Sequence, residues 1–209
     1  MHTWVGIVSQ IGGLGHLGEG SLYYNCLDEK EISGITGLTK LGVHDLPPLV
    51  GRGVLLDMAK HMGKDVLAAG ENFGEAEIKA AAEAQGVAIG KGDIVLFYTG
   101  WTDGILESEP QAWVSGEPGL NVNGARYLAS LDVIAVGADT WGLEPIPPAE
   151  GDGAFYVHVV LLQENGIYIL ETMNTGRLVR DDVSEFMFVL GQARIRGTVQ
   201  MIVNPVALY

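Results

Sequence analysis

Asn165 and Gly166 separate two apolar runs, residues 154–162 and 167–173. Asn-Gly is the dipeptide that two-residue hairpin turns prefer, because both central positions of a type I′ turn need a positive φ. The apolar runs on either side are rich in the β-branched and aromatic residues that favour strands. We therefore predict a β-hairpin in which the two runs form adjacent antiparallel strands.

The predicted hairpin carries a histidine on one strand and a glutamate on the other. His158 would lie opposite Met173, and Glu171 would project from the same face, because side chains alternate with a period of two. Diagonal neighbours on one face lie about 7–8 Å apart, so both side chains could reach one metal ion. The alternative is a plain polar contact between the two side chains, and the spacing alone favours that alternative.

The remaining elements indicate a mixed α/β domain. Apolar runs predict strands at residues 52–58, 94–98, 133–137, 185–190 and 198–203, and helical spacing predicts helices at 75–85 and 121–130. Strands outnumber helices, and the helices fall between strands, which favours a mixed sheet packed by few helices over a doubly wound fold. Neither helix opens on a Gly-rich phosphate motif, so we expect no nucleotide cofactor. No shift in composition divides residues 1–209, which predicts a single domain.

Charge and composition exclude several classes of partner. The net charge of −14 disfavours nucleic acids and anionic membranes, since both are polyanions. No apolar run approaches the length of a membrane span, and no secretory signal is visible at the N-terminus. Cys26 is the single cysteine of the chain, which fits a reducing compartment and predicts a cytoplasmic protein. The acidic balance otherwise indicates a contribution to solubility.

A second histidine, His16, lies in the glycine-dense segment 12–18. Backbone in such a loop can approach a ligand closely, so His16 is a candidate general base or metal ligand. The alternative is a solvated loop histidine. His44 and His61 are predicted to be surface residues, and His2 is terminal.

Seven stretches carry a family resemblance: Gly13-Leu14-Gly15-His16, Tyr23-Tyr24-Asn25, residues 37–59, 91–101 and 136–143, the segment 158–171, and the tail 185–208. In this order and spacing they resemble the cyclase family of metal-dependent hydrolases, which includes bacterial kynurenine formamidases and isatin hydrolases. The resemblance implies a swivelling β/β/α-type fold around a mixed sheet. It also implies a homo-oligomer, and an N-terminal segment that this chain lacks.

The resemblance assigns roles to four residues. His158 and Glu171 correspond to metal ligands, and Gln10 corresponds to the second position of the family's metal signature, which is His or Gln. His16 corresponds to the closing histidine of that signature, a proton donor and acceptor in the family. The implied cofactor is Zn²⁺ or Mn²⁺.

Two signature positions depart from the family pattern. The first histidine falls on Gly6 and the aspartate falls on Gly12, and glycine has no side chain that can bind a metal. The loss of a ligating carboxylate lowers the expected metal affinity, because it removes negative charge next to the cation. His2, four residues before Gly6, is a possible substitute ligand.

The implied activity is hydrolysis of an amide, a lactam or a related cyclic carbonyl compound by metal-activated water. His16 would then transfer a proton, and Trp101 or Trp141 could form a pocket wall, although both tryptophans suit core packing better. Gly6 and Gly12 keep one alternative open, a catalytically impaired homologue that binds a ligand or a partner subunit. A polyketide-type cyclase is a further alternative.

Overall fold

The computed structural model describes Gly6 and residues 8–209. Its centre is one eight-stranded sheet, whose strands in chain order are β1 (Gln10–Gly12), β2 (Leu49–Asp57), β3 (Ile94–Tyr98), β4 (Ala135–Ala138), β5 (Tyr168–Glu171), β6 (Glu185–Leu190), β7 (Gln200–Ile202) and β8 (Val206–Leu208). The spatial order is β7-β1-β5-β4-β3-β2-β6-β8. Strands β5, β4, β3 and β2 run parallel, and the outer strands pair antiparallel. The sheet is therefore mixed, as the sequence predicts.

Eight helices lie around this sheet in the described residues. They are α1 (Glu29–Ile32), α2 (Met58–His61), α3 (Glu75–Gln85), α4 (Trp101–Ile105), α5 (Pro110–Ser115), α6 (Val122–Ser130), α7 (Tyr156–His158) and α8 (Gly176–Arg180). A π-helix (Val159–Glu164) continues α7, and 3₁₀ turns form at Tyr24–Cys26 and Val43–Asp45. Three short ladders pair Leu22–Tyr23 with Leu27–Asp28, Ser33–Gly34 with Gly37–Leu38, and Asn72–Phe73 with Gly119–Leu120. No helix in this part of the chain is both long and apolar enough to cross a bilayer.

Both faces of the sheet are covered, which explains why its central strands are apolar almost throughout. In β2, Val54 and Leu56 face one core cluster and Leu55 faces the other. The first cluster includes residues of α3 and α6, and the second includes residues of the Val43–Asp45 turn, α8 and the C-terminal segment. This alternation fixes the register, because a slip of one residue would move every side chain to the opposite face.

Several predicted elements match the structure closely. The predicted helix 75–85 is α3, and Gly86 ends it in the left-handed conformation with φ +70°. The predicted strands 94–98 and 185–190 are β3 and β6, with the same bounds. Asn121 accepts a hydrogen bond from the N–H of Gly124, so it is the N-cap of α6.

The predicted hairpin is wrong. The first apolar run is helical, not extended: it forms α7 and the π-helix Val159–Glu164. Only the second run contains a strand, β5, and its neighbours are β4, which is parallel, and β1, which is antiparallel. A continuous apolar run is compatible with a buried helix as well as with a buried strand, and here tertiary packing decided for the helix.

The Asn-Gly pair ends this helical segment instead of forming a hairpin turn. Gly166 has φ +67° but Asn165 has φ −124°, so the type I′ turn is absent. The Gly166 N–H donates to the carbonyl of Leu162 (3.3 Å), and the Ile167 N–H donates to that of Leu161 (2.8 Å). The Asn165 side chain also donates to the carbonyl of Val160 (2.7 Å). A left-handed glycine closes helix C-termini as well as hairpins, so the same local signal serves both structures.

Candidate active site

The candidate site lies where β5 reaches its carboxyl end. Glu171 is the last residue of β5, and the antiparallel pairing of β1 with β5 places Gln10 directly opposite it. The Gln10 Nε2–H donates to Glu171 Oε2 at 2.6 Å, and both side chains are buried. The other atom of the amide, Gln10 Oε1, is buried without a hydrogen-bond partner.

His158 reaches the same carboxylate from the helical side. Its Nε2 lies 3.3 Å from Glu171 Oε1, and its Nδ1–H donates to Glu144 Oε1 at 2.6 Å. Glu144 also accepts the backbone N–H groups of Val157 (3.4 Å) and His158 (3.2 Å). A carboxylate at the start of a helical segment satisfies free N–H groups there, so Glu144 stabilises the helix and orients the imidazole.

His16 follows β1 in a tight turn, in which its N–H donates to the carbonyl of Gly13 at 2.9 Å. Its ring centroid lies 6.1 Å from that of His158, and its Nδ1 is buried without a hydrogen-bond partner. Burial lowers the pKa of His16, and the nearby His158 lowers it further, while Glu171 opposes both effects. His16 is therefore a neutral imidazole at pH 7.

The buried charges of the site are unevenly balanced. Burial acts to lower the pKa of His158, but the hydrogen bonds to Glu144 and Glu171 outweigh it and raise that pKa to about 9. Burial raises the pKa of Glu117 well above its usual value, against two backbone N–H donors, and the charge of Glu171 adds to the rise. The carboxylates of Glu117, Glu144 and Glu171 are thus buried at one end of the sheet, with His158 as the cation beside two of them. Such an excess of negative charge favours protons or a cation.

A cavity of about 520 Å³ opens onto these groups. Gln10, His16, His158 and Glu171 all contribute to its lining, so the structure brings the four predicted site residues together. Its apolar wall includes Trp113, Trp141 and Phe155, and the Phe155 ring packs edge-on against His158 with centroids 5.6 Å apart. A groove of about 1020 Å³ elsewhere on the surface contains none of the four residues.

The tryptophan predictions differ in outcome. Trp141 lines the cavity, whereas Trp101 is buried and does not line it. Sequence reasoning missed Trp113 and Phe155 in the wall, and it missed Glu144 behind His158. The segment 136–143, which carries a family stretch, ends one residue before Glu144, but no local signal marks that glutamate as a partner of His158.

The two glycines that depart from the family pattern lie beside the site. A Cβ atom built on Gly12 would lie 3.4 Å from His16 Cδ2, which is an ordinary contact. A Cβ atom on Gly6 would lie 3.3 Å from Gln10 Oε1 but only 1.7 Å from Gln200 Nε2, so the Gln200 side chain occupies that space. His2 lies outside the described residues.

The donors present fit a divalent ion through one imidazole, one carboxylate and one amide oxygen. Two ligands that each lie about 2.0–2.2 Å from a shared ion in tetrahedral geometry are about 3.4 Å apart. The 3.3 Å between His158 Nε2 and Glu171 Oε1 meets that requirement. Gln10 Oε1, which is buried and unpartnered on the side chain that contacts Glu171, is the candidate third donor. Nowhere in the described residues do three His, Cys, Asp or Glu side chains form a metal-binding group, so the amide is needed to complete the set.

Comparisons with known proteins agree with this fold. A family model named Cyclase, described as "Putative cyclase", matches residues 2–145, and the chain belongs to this family. A crystal structure described as that of a novel cyclase is similar over 100% of this chain and 69% of its own, with a TM-score of 0.90 and 26% identity. No curated protein matches the chain in sequence.

Two further solved structures share the fold at lower identity. A predicted metal-dependent hydrolase from Bacillus stearothermophilus has a TM-score of 0.63 and 21% identity, over 99% of this chain and 78% of its own. An isatin hydrolase bound to the product analogue thioisatinate has a TM-score of 0.68 and 18% identity, over 96% of this chain and 71% of its own. The structural neighbours thus include enzymes described as metal-dependent hydrolases.

Proposed function

We propose that this protein is a metal-dependent hydrolase of amides, lactams or related cyclic carbonyl compounds. The observation that carries the proposal is the 3.3 Å spacing of His158 Nε2 and Glu171 Oε1, with Gln10 hydrogen-bonded to Glu171 and His16 nearby, in the lining of an aromatic-walled cavity. Family membership and the hydrolase neighbours support the same class of reaction.

His158 Nε2, Glu171 and Gln10 Oε1 are the groups that would hold Zn²⁺ or Mn²⁺. When bound, such an ion supplies Lewis acidity toward a carbonyl oxygen and lowers the pKa of water. Glu144 fixes the imidazole by accepting the Nδ1–H, which leaves Nε2 directed toward Glu171. Because Gly6 and Gly12 contribute no ligands, the site would hold the ion with one carboxylate, that of Glu171.

His16 is the proton-transfer group in this proposal. A neutral imidazole accepts a proton from the attacking water and then returns it to the leaving nitrogen or oxygen. The lowered pKa of His16 keeps the base form available at neutral pH. Trp113, Trp141 and Phe155 pack against the apolar part of the substrate and exclude water from the reacting carbonyl.

An activity screen tests the proposal directly. Purified protein is assayed against N-formylkynurenine, isatin and simple lactams, with Zn²⁺ or Mn²⁺ added or with a chelator. We expect hydrolysis of at least one compound that requires the ion. Absence of turnover with every compound and both ions would refute the hydrolase proposal.

A second candidate function is ligand binding without catalysis. The observation that favours it is that both oxygens of Glu171 already have hydrogen-bond partners, Gln10 Nε2 and His158 Nε2. The carboxylate is therefore satisfied without an ion. Metal analysis after reconstitution separates the candidates. About one ion per chain supports the hydrolase, and far less than one supports the binding protein.

The oligomeric state is a separate proposal. We propose that the chain acts on its small-molecule substrate as a homo-oligomer in the cytoplasm. Light scattering at micromolar concentration tests the assembly, and a monomeric mass would contradict it.

A further inference from the structure

Glu117 is not one of the predicted metal ligands, but its carboxylate is hydrogen-bonded to two residues in the wall of the cavity. Its side chain is fully buried, and no lysine or arginine pairs with it in the described part of the chain. Burying a carboxylate without a cation is costly, and hydrogen bonds to its oxygens offset only part of that cost.

Two consecutive backbone groups supply those bonds. The Trp141 N–H donates to Glu117 Oε2 at 2.6 Å, and the Gly142 N–H donates to Glu117 Oε1 at 2.8 Å. Adjacent N–H groups that converge on one carboxylate form an anion-binding concavity. A Cβ atom at Gly142 would lie 2.8 Å from Oε1, so the close approach requires glycine there.

The backbone of Glu117 is itself fixed. Its N–H and carbonyl pair with those of Ile146 at 3.0 and 2.8 Å, and its carbonyl also accepts the N–H of Gly70 at 3.0 Å. The hydrogen bonds of the carboxylate therefore tie residues 141–142, which follow the carboxyl end of β4, to a fixed segment of backbone.

Both residues held by Glu117 touch the site. Trp141 and Gly142 line the cavity, and the Trp141 indole N–H donates to the carbonyl of Trp113 at 2.9 Å. A Cβ atom at Gly142 would lie 3.7 Å from Phe155, the ring that packs on His158. Displacement of residues 141–142 would therefore move the aromatic wall relative to the reacting groups.

We propose that Glu117 is a positioning residue, which sets the backbone of Trp141 and Gly142 and thereby the aromatic wall of the substrate cavity. This inference rests on the proposed function in one respect, that the cavity is where substrate binds. It requires no turnover and no metal, so it can fail or hold independently of the hydrolase proposal.

The test uses Glu117→Gln, because the amide keeps the size of the side chain but presents an NH₂ group to a backbone N–H donor. Near-UV circular dichroism reports the packing of the tryptophans, and quenching of tryptophan fluorescence by isatin reports binding. We expect altered near-UV bands and at least about a tenfold weaker isatin Kd, the effect of roughly 1.4 kcal/mol. If Glu117→Gln does not fold, Glu117→Asp serves in its place.

Asp93→Asn is the matched control. Asp93 is also a buried carboxylate with two donors, Arg52 Nη1 at 2.8 Å and the Gly90 N–H at 2.7 Å, but it lies at the opposite end of β3. We expect the control to lower Tm while the near-UV bands and isatin binding stay unchanged. The inference is overturned if Glu117→Gln shows only a loss of Tm like that of the control, with normal tryptophan bands.

A double-mutant cycle with Trp141→Phe tests the route of the effect. If Glu117 acts through Trp141, the isatin Kd of the double variant does not exceed the larger of the two single-variant Kd values. Additive losses would mean that Glu117 does not act through Trp141 and would overturn the inference as stated.

Discussion

At the scale of single residues, the site depends on which nitrogen and oxygen atoms are already engaged. Glu144 engages His158 Nδ1, and Gln10 Nε2 engages one oxygen of Glu171. His16 Nδ1 and Gln10 Oε1 are buried with no partner, and such atoms are costly unless a ligand, an ion or water satisfies them. In the proposed mechanism, these two atoms of the cavity lining are the ones available to an ion or a substrate.

Replacement of His16 by alanine should remove proton transfer and leave binding intact. We expect turnover of the hydrolysed substrate to fall by about 10²–10⁴-fold, with little change in isatin Kd. Because burial lowers the pKa of His16, the acid limb of the wild-type profile of kcat should lie below pH 6.5. His61→Ala, a substitution outside the cavity lining, is the control. Unchanged turnover in His16→Ala would remove this residue from the mechanism.

A carboxylate at position 12 should strengthen metal binding. Gly12 and Gln10 lie on the same face of β1, and a Cβ atom at position 12 would make only ordinary contacts. We expect Gly12→Asp to bind Zn²⁺ or Mn²⁺ at least about tenfold more tightly than wild type, by titration calorimetry. Gly12→Asn has the same shape without the charge and should stay near wild type. Equal affinities in the two variants would show that the charge at position 12 does not govern metal affinity.

At the scale of elements, the helical segment that carries His158 is defined at both ends. Glu144 accepts its first N–H groups, and Gly166 closes its carboxyl end. The position of His158 relative to β5 follows from these two ends, because the segment connects directly to that strand.

Gly166→Ala tests the closure at the carboxyl end. An alanine there would need φ +67°, and its Cβ atom would lie 2.5 Å from the Tyr24 ring. We expect a loss of about 2–4 kcal/mol in the free energy of unfolding, measured with urea. Gly20→Ala has a similar φ, +64°, with no atom within 4 Å, and should lose only about 1–2 kcal/mol. Equal losses would mean that the Tyr24 contact contributes nothing.

At the scale of the whole molecule, the sheet buries polar groups where its parallel strands end. Asp139, just after β4, is buried and accepts the N–H and hydroxyl of Thr99 at 2.8 and 2.7 Å. Burial raises the pKa of Asp139 to about 6, against the lowering effect of those two bonds. Global stability should therefore depend on the pH at which this carboxyl ionises.

The folded state binds the Asp139 proton more tightly than the unfolded state does, so stability should fall as pH rises from about 4 to 6. The fall is about 3 kcal/mol, since one pKa unit corresponds to about 1.4 kcal/mol. Asp139→Asn should remove this decline in urea unfolding measured at successive pH values. Thr99→Val, which removes one donor to the ionised form, should extend the decline above pH 6. A decline that persists in Asp139→Asn would assign it to another group.

The sequence by itself determined the elements whose signals are local and complete. The sequence of α3 has apolar residues at helical spacing and is followed by a glycine in the left-handed conformation. The sequence of β3 is an apolar run that follows a turn. The glycine-dense loop of His16 and the pair His158 and Glu171 also drew attention to residues that line one cavity, although the hairpin inferred for that pair is absent.

The tertiary structure alone decided what those groups contact. The run before Asn165 is apolar on every side, so its sequence fits a strand or a buried helix, and packing under the sheet selected the helix. Gln10 and Glu171 are 161 positions apart and meet only because β1 pairs with β5, and Glu144 and Glu117 reach the site from loops with no periodic pattern. Local backbone preferences extend over a few residues, whereas a buried polar contact depends on which distant strands and loops pack together.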